Sequence, residues 1–334
     1  MIRVGLVGYG LAGAVFHEPL INSCGRLQLT GVMTSRDHPL RTQSFDGLLS
    51  DADLVVIASP NQTHFSLAKT ALEHGKHVVV DKPMTVTVDE SDELIRIARH
   101  EQLVLCPFHN RRWDGDFLTV ERILEQIGEV SLYEANWDRF RPHVKEGWRE
   151  EPEPGAGLFN DLGPHMIDQV LHLLGWPDAI SADIVTQRPE ARVDDYFEVT
   201  FHYGAMRACL RSSTLIAAPR PRFAVHGIGG SFVKYELDPQ EAQLKSGVRP
   251  GDPHFGEAAD GTLTNSDGTT RAVPTVRGNY LAFYDRVAAA IESGGSAPVA
   301  AEDARAGLML IDLARCAATT GRRVPVPGAN PPAD

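Results

Sequence analysis

Short apolar runs recur along the first third of the chain, separated by longer stretches of mixed polarity. Residues 2–7, Ile-Arg-Val-Gly-Leu-Val, form the first run, and residues 27–34, 53–58, 77–80 and 103–106 form the next four. A continuous apolar run of this length is the pattern of a strand buried on both faces. The intervening stretches at 12–21, 63–73 and 88–100 carry helical spacing. Strands alternating with helices predict a doubly wound parallel sheet ending near residue 118.

Beyond a helix predicted at 117–126 the texture changes. Strand-like segments at 130–137, 179–186, 196–201, 207–212, 222–226 and 231–237 follow one another, interrupted by helices at 163–174, 280–293 and 301–319. Runs of strands without crossover helices predict a large, mostly antiparallel open sheet and an α+β second domain. Residues 246–276, rich in Gly, Asp and Thr, read as long loops, and 328–334 as a loose tail. The expected organisation is α/β overall: a doubly wound parallel-sheet domain at 1–118, then an α+β domain with a large, mostly antiparallel open sheet at 119–334. A chain of 334 residues exceeds what one core usually supports, in keeping with two domains.

Composition narrows the function classes. A net charge of −12 opposes nonspecific nucleic-acid binding, which rests on Lys and Arg neutralising phosphates. No apolar stretch is long enough to span a bilayer and the first residues do not read as a secretory signal, so the expected location is cytoplasmic. Cys24, Cys106, Cys209 and Cys316 stand far apart, against both a zinc knuckle and a disulfide framework.

The first run leads directly into Gly8-Tyr9-Gly10-Leu11-Ala12-Gly13, a G-x-G-x-x-G following a strand. Here Gly8 serves the tight turn, Gly10 the backbone approach to a pyrophosphate, and Gly13 close packing of the next helix, whose first amides face the phosphates. At the end of the second run an NAD-binding unit would place an acid for the ribose 2′-hydroxyl, whereas this chain has Thr34-Ser35-Arg36. Ser35 and Arg36 suit a 2′-phosphate, so NADP is expected, with NAD the alternative; an ordinary exposed turn also fits Arg36.

Loops after strands are where such sheets bind ligands. Two stand out: Ser59-Pro60-Asn61-Gln62-Thr63-His64, and Asp81-Lys82-Pro83, where Lys82 reads either as a solvated strand end or as an ammonium delivered to the cofactor crevice. Further on, Asp161 and His165 stand four apart in the run from Gly155 to Asp168. If that stretch is helical they share a face. An Asp beside a His fixes the imidazole for proton exchange; a capping Asp161 and a packed His165 account for the same pattern. Asp161, His165 and Asp168 lack a further His or Cys cluster to complete a metal shell, so no metal is expected.

Taken in order, the glycine loop, Asp81-Lys82-Pro83 and the Gly155, Asp161, His165, Asp168 run resemble the Gfo/Idh/MocA family of nicotinamide-dependent oxidoreductases over nearly the full length. Phe16-His17, Asn110-Arg111-Arg112-Trp113-Asp114 and Asp138-Arg139-Phe140-Arg141-Pro142 are similar to a bacterial subgroup that includes NADP-dependent scyllo-inositol dehydrogenases. The resemblance implies a catalytic set of Lys82, Asp161 and His165, with His165 taking a hydroxyl proton, Asp161 orienting it and Lys82 holding the same oxygen. It implies Gly8 to Gly13, Ser35, Arg36, Ser59, Pro60, Asn61, His64, Asp81 and Lys82 at the cofactor. For the substrate it implies Asn110, Arg111, Trp137 and Arg139, with Tyr280 a further candidate. The implied activity is hydride transfer between a nicotinamide and a secondary alcohol or ketone of a cyclic polyol or sugar, scyllo-inositol with NADP first. Another sugar, keto-sugar or dihydrodiol, or a non-catalytic dinucleotide sensor, are the alternatives. The resemblance also implies that 1–118 is a Rossmann domain and 119–334 a substrate-binding and oligomerisation domain, with a homodimer or homotetramer formed through the C-terminal sheet.

Overall fold

Six strands form one sheet whose every pairing is parallel: β1 (Ile2–Val7), β2 (Leu27–Met33), β3 (Arg41–Thr42), β4 (Leu54–Ile57), β5 (His77–Val80) and β6 (Leu105–Pro107), in the order β3-β2-β1-β4-β5-β6. Val4, Leu6, all of β4 and Val78 to Val80 are fully buried, as the apolar runs require when both faces are covered. The computed structural model describes residues 1–144, 150–152 and 155–328. It divides into two units, one comprising Met1–Asp114, Pro239–Gly256 and Arg277–Leu308, the other Gly115–Asp238, Glu257–Val276 and Met309–Asp334. Beyond Gly328, the expected tail lies outside the described residues.

In the first unit the helix expected at 12–21 is two pieces, a π-helical turn at Ala12–His17 and α1 at Glu18–Ser23. The Glu18 N–H reaches back five residues to the Gly13 carbonyl, and Pro19, which has no N–H to give, follows. A helix absent from the sequence reading, α2 (Phe45–Asp51), starts at Ser44, whose hydroxyl accepts from the Gly47 N–H at 3.1 Å. Then come α3 (His64–Glu73) and α4 (Val88–His100), the latter opened by a capping box between Thr87 and Glu90.

The π-turn ends on His17, which is fully buried, its Nδ1 in a hydrogen bond of 2.6 Å with the Tyr284 hydroxyl. Burial pushes its pKa down to about 4, with Asp81 pulling upward and His64 downward. The unfolded chain takes up that proton near 6.5 and the folded chain only near 4, so between these values the unfolded state holds more protons and stability falls as pH falls. The shift corresponds to about 3 kcal/mol, present in full above about pH 6.5. His17→Gln is expected to flatten the pH dependence of the urea midpoint between about pH 7 and pH 4. A variant curve parallel to the wild type would contradict this assignment.

In the second unit nine strands form a sheet ordered β14-β13-β12-β11-β7-β10-β9-β8-β15. They are β7 (Val130–Asn136), β8 (Ala179–Val185), β9 (Tyr196–Tyr203), β10 (Met206–Ser213), β11 (Phe223–Gly227), β12 (Gly230–Lys234), β13 (Gly261–Asn265), β14 (Thr270–Val273) and β15 (Val324–Pro325). All neighbours are antiparallel except β7 with β10. The loops expected over 246–276 thus hold a hairpin, β13 and β14, whose threonines and short apolar content gave little period to read. α5 (Gly115–Ile127) packs on β11 and β12, and α6 (Leu158–Leu174) on β9 and β10, burying Phe117, Phe159, Met166, Phe197, Phe201 and Phe223 in one core. Among the described residues no helix is long and apolar enough to cross a membrane.

Candidate active site

In the first unit the loops after β1, β2, β4 and β5 leave the same edge of the sheet. They are stitched there by Gly8 N–H to Met33 O, Ala58 N–H to Val7 O and Asp81 N–H to Ile57 O, at 2.9, 2.7 and 2.8 Å. β1 and β4 flank the point where strand order reverses, the place such sheets bind a dinucleotide. Gly8 has φ +94°, and a Cβ on it would lie 2.4 Å from the Ala58 carbonyl oxygen; at Gly13 a Cβ would lie 2.2 Å from Gly8 O. A Cβ on Gly10 would meet nothing within 4 Å, so the space over its backbone is open to a ligand. Two glycines close the turn and the third leaves room beside it, which is the shape a pyrophosphate needs, and the residues present fit a dinucleotide.

At the end of β2, Ser35 and Arg36 are exposed, and the Arg36 backbone N–H is held by the Thr34 hydroxyl at 3.1 Å. The Tyr9 hydroxyl donates to the Glu18 carboxylate, which His38 also meets at 3.1 Å from Nε2; the Leu40 N–H donates to Nδ1 of His38. Tyr9 is pushed up to about 12, first by that bond to Glu18 and then by burial, while the positive charge of Arg36 pulls it down. A carboxylate from α1, Glu18, is therefore engaged by both Tyr9 and His38. The sequence reading did not single out Glu18 or His38, which come from outside the motif.

The fully buried His64 ties the two loops together, its Nδ1 2.8 Å from Pro83 O and its Nε2 2.9 Å from Ser59 O. Asp81 accepts the Lys82 N–H at 2.8 Å. Asn110 and Arg111 open a short 3₁₀ turn, Asn110–Trp113, and are buried. Arg111 donates to the Tyr280 hydroxyl at 2.7 Å and pairs with Glu241, and Tyr280 donates to Asp114 at 2.6 Å. The structure thus joins two of the sequence candidates, Arg111 and Tyr280, in one buried network.

In the second unit Asp161 and His165 lie on α6, which begins at Leu158, five residues before the start expected at Gly163. The earlier start leaves Pro164 inside the helix. The early start has a cause outside the motif. Gly157, at φ +94°, has no side chain to cap the helix, and a Cβ there would lie 2.5 Å from the Asp194 carboxylate. Asp194 caps from across the loop before β9: its carbonyl accepts Leu158 N–H at 2.8 Å and its carboxylate accepts Phe159 N–H at 2.7 Å. Burial pushes the Asp194 carboxyl above the usual carboxylate range, against the Phe159 N–H and the Arg315 guanidinium, which hold it down.

Asp161 and His165 stand on one face of α6, the helical alternative of the sequence reading. Past β7 the chain continues alongside β10, with Trp137 and Arg139 N–H groups donating to Arg211 and Ser213 carbonyls at 2.9 Å each. Two residues apart and extended, both side chains reach α6. Arg139 donates to Asp161 Oδ2 at 3.3 Å, and the Trp137 indole stacks on His165 at 6.3 Å and 28°. Asp194→Ala is expected to cost about 1–2 kcal/mol, as a lost cap does, and to lower kcat by displacing the first turn of α6, with Asp194→Asn milder. Thermal melts beside steady-state kinetics check this; a lower melting temperature with kcat unchanged would separate the cap from Asp161.

Among the described residues no group of His, Cys, Asp and Glu is arranged to hold a metal. Residues 2–109 match the family model described as the oxidoreductase family's NAD-binding Rossmann fold, and residues 120–326 match its C-terminal alpha/beta domain. YdgJ of Escherichia coli, an uncharacterised oxidoreductase, is 44% identical over 328 residues, covering 93% of this chain and 95% of that one. The scyllo-inositol 2-dehydrogenase (NADP(+)) IolW of Bacillus subtilis is 36% identical over 331 residues, covering 94% and 92%. An oxidoreductase structure from Bacillus cereus aligns with TM-score 0.89 at 30% identity, covering 99% of this chain and 100% of that one. An NAD-binding protein from Listeria innocua aligns with TM-score 0.81 at 25% identity, covering 98% of each. With both of its halves matched in order, the chain belongs to the Gfo/Idh/MocA family of NAD(P)-binding oxidoreductases.

Proposed function

We propose that the protein is an NADP-dependent dehydrogenase that moves hydride between the nicotinamide and a secondary alcohol carbon of a cyclic polyol, with scyllo-inositol the leading substrate. The observation that carries this reading is the face of α6, where Asp161 and His165 stand together with Arg139 and Trp137 upon them. The likeness to IolW, whose name gives that substrate and cofactor, supports it.

In the proposed chemistry His165 takes the hydroxyl proton. Asp161 orients the imidazole and offsets the charge it gains, and Lys82 donates a hydrogen bond to the oxygen that becomes the carbonyl. When bound, the nicotinamide supplies the hydride acceptor. The glycine loop Gly8 to Gly13, Ser35, Arg36, Ser59, Pro60, Asn61, His64, Asp81 and Lys82 are assigned to hold it. Asn110, Trp137 and Arg139 are assigned to contact the polyol. Arg111 and Tyr280, joined in their buried network, are assigned to substrate binding as well.

The test is a substrate panel run with NADP and NAD side by side, read by reduced-nicotinamide absorbance. Reduction of NADP by scyllo-inositol, faster than by other inositols and aldoses, is the expected result. Turnover of a different alcohol would move the substrate assignment, and tight NADPH binding with no turnover across the panel would overturn the reading.

A further inference from the structure

A guanidinium lies behind the indole that stacks on His165. Arg222, between β10 and β11, is 2% exposed, and among the described residues its Nε and Nη1 make no hydrogen bond. Its Nη2 donates to the Gln169 side chain at 2.9 Å, and its Nε lies 3.5 Å from the equally buried Asp116 carboxylate. Its carbon centre sits 5.0 Å from the Trp137 ring and 4.1 Å from the Phe223 ring. Removing so large a cation from water is costly, and one ion pair at 3.5 Å with one amide bond is an incomplete return.

What the placement does supply is geometry. Gln169 is one helical turn past His165 on α6, so the two point the same way. Arg222 therefore grips the helix that carries His165 through Gln169, and its guanidinium sits over the Trp137 ring, which also stacks on His165. The guanidinium thus meets both the indole that stacks on His165 and the helix that carries the imidazole. A lysine would keep the charge beside Asp116 but has neither the flat face nor the fork to hold ring and amide at once.

We propose that Arg222 is a positioning residue for the reaction: it sets the Trp137 ring against the His165 imidazole and so fixes the direction in which His165 meets the substrate hydroxyl. This rests on the assignment of His165 as the base. It predicts an effect on kcat that is separate from cofactor binding, since none of Arg222, Gln169, Trp137 and Phe223 belongs to the glycine-loop unit.

The experiment compares Arg222→Lys, Arg222→Met, Gln169→Leu and His165→Asn in the full chain. The readouts are kcat, KM for the polyol, NADPH binding by fluorescence, and tryptophan emission, with Trp137→Phe identifying the indole concerned. Arg222→Lys and Gln169→Leu are expected to lower kcat about 10-fold and Arg222→Met about 50-fold, with NADPH affinity unchanged and the Trp137 emission shifted. A merely structural arginine would lower the melting temperature and leave kcat and the emission of the folded protein as they were, and that result in Arg222→Lys overturns the proposal. Should Arg222→Met not fold, the lysine and Gln169 variants decide the matter alone. If His165→Asn keeps full turnover, it is the base assignment that fails. Loss of turnover in His165→Asn with none in the Arg222 and Gln169 variants removes only the positioning role.

Discussion

His165→Asn is expected to lower kcat with the polyol by about 10³-fold while NADPH binding stays within about twofold of the wild type. The asparagine fills similar space and keeps a polar edge toward Trp137, but it cannot take a proton near neutral pH, so the loss falls on the chemical step. Asp161→Asn is expected to lose nearly as much. The carboxylate no longer offsets charge on the imidazole, and Arg139, 3.3 Å away, loses its ionic partner. Because the two residues act as one unit, the double variant is expected to be little worse than either single one, which separates a dyad from two independent contributions. Lys82→Ala is expected to cost about 10²- to 10³-fold in kcat, the scale of a lost oxyanion donor. Unchanged turnover in Lys82→Ala or His165→Asn, measured in single-turnover experiments so that product release does not mask the step, would sink the proposed division of roles.

Legibility in the sequence follows how local each physical cause is. The strands β1, β2, β4 and β5 could be read almost to the residue, because strands largely buried on both faces leave a dense apolar signature, broken only by Arg3 in β1, Gln28 and Thr30 in β2 and His77 at the start of β5. α2 and the β13–β14 hairpin could not. Seven residues with Phe45, Leu48 and Leu49 hold too little period, and β14, Thr-Arg-Ala-Val, is exposed over three of its four positions. At the site, spacing alone pairs Asp161 with His165 and puts Trp137 and Arg139 on one side. The start of α6 was missed because its cap is Asp194, 35 residues along the chain from the Phe159 N–H it accepts. Arg222 was equally hidden. Its partners Asp116, Trp137 and Gln169 come from α5, the end of β7 and α6, and no window of sequence holds all of them.

Arg36→Ala is expected to raise KM for NADP by about 30-fold and to change KM for NAD by no more than about twofold. A guanidinium bonded to a phosphate contributes on the order of 2 kcal/mol, and only NADP carries the 2′-phosphate. The side chain is exposed at the end of β2, near enough to Tyr9 for its charge to pull on that phenol. Glu18 accepts from Tyr9 and meets His38, so its carboxylate is already engaged within the protein. Because the arginine is exposed, its attraction is screened: raising salt should weaken NADP binding to the wild type more steeply than binding to the variant. Glu18→Ala frees Tyr9 and His38 together, so it is expected to weaken both cofactors by loosening the glycine loop, with the NADP to NAD ratio preserved. Equal losses for NADP and NAD in Arg36→Ala would remove the 2′-phosphate from Arg36. A changed ratio in Glu18→Ala would give the choice of cofactor to the carboxylate instead.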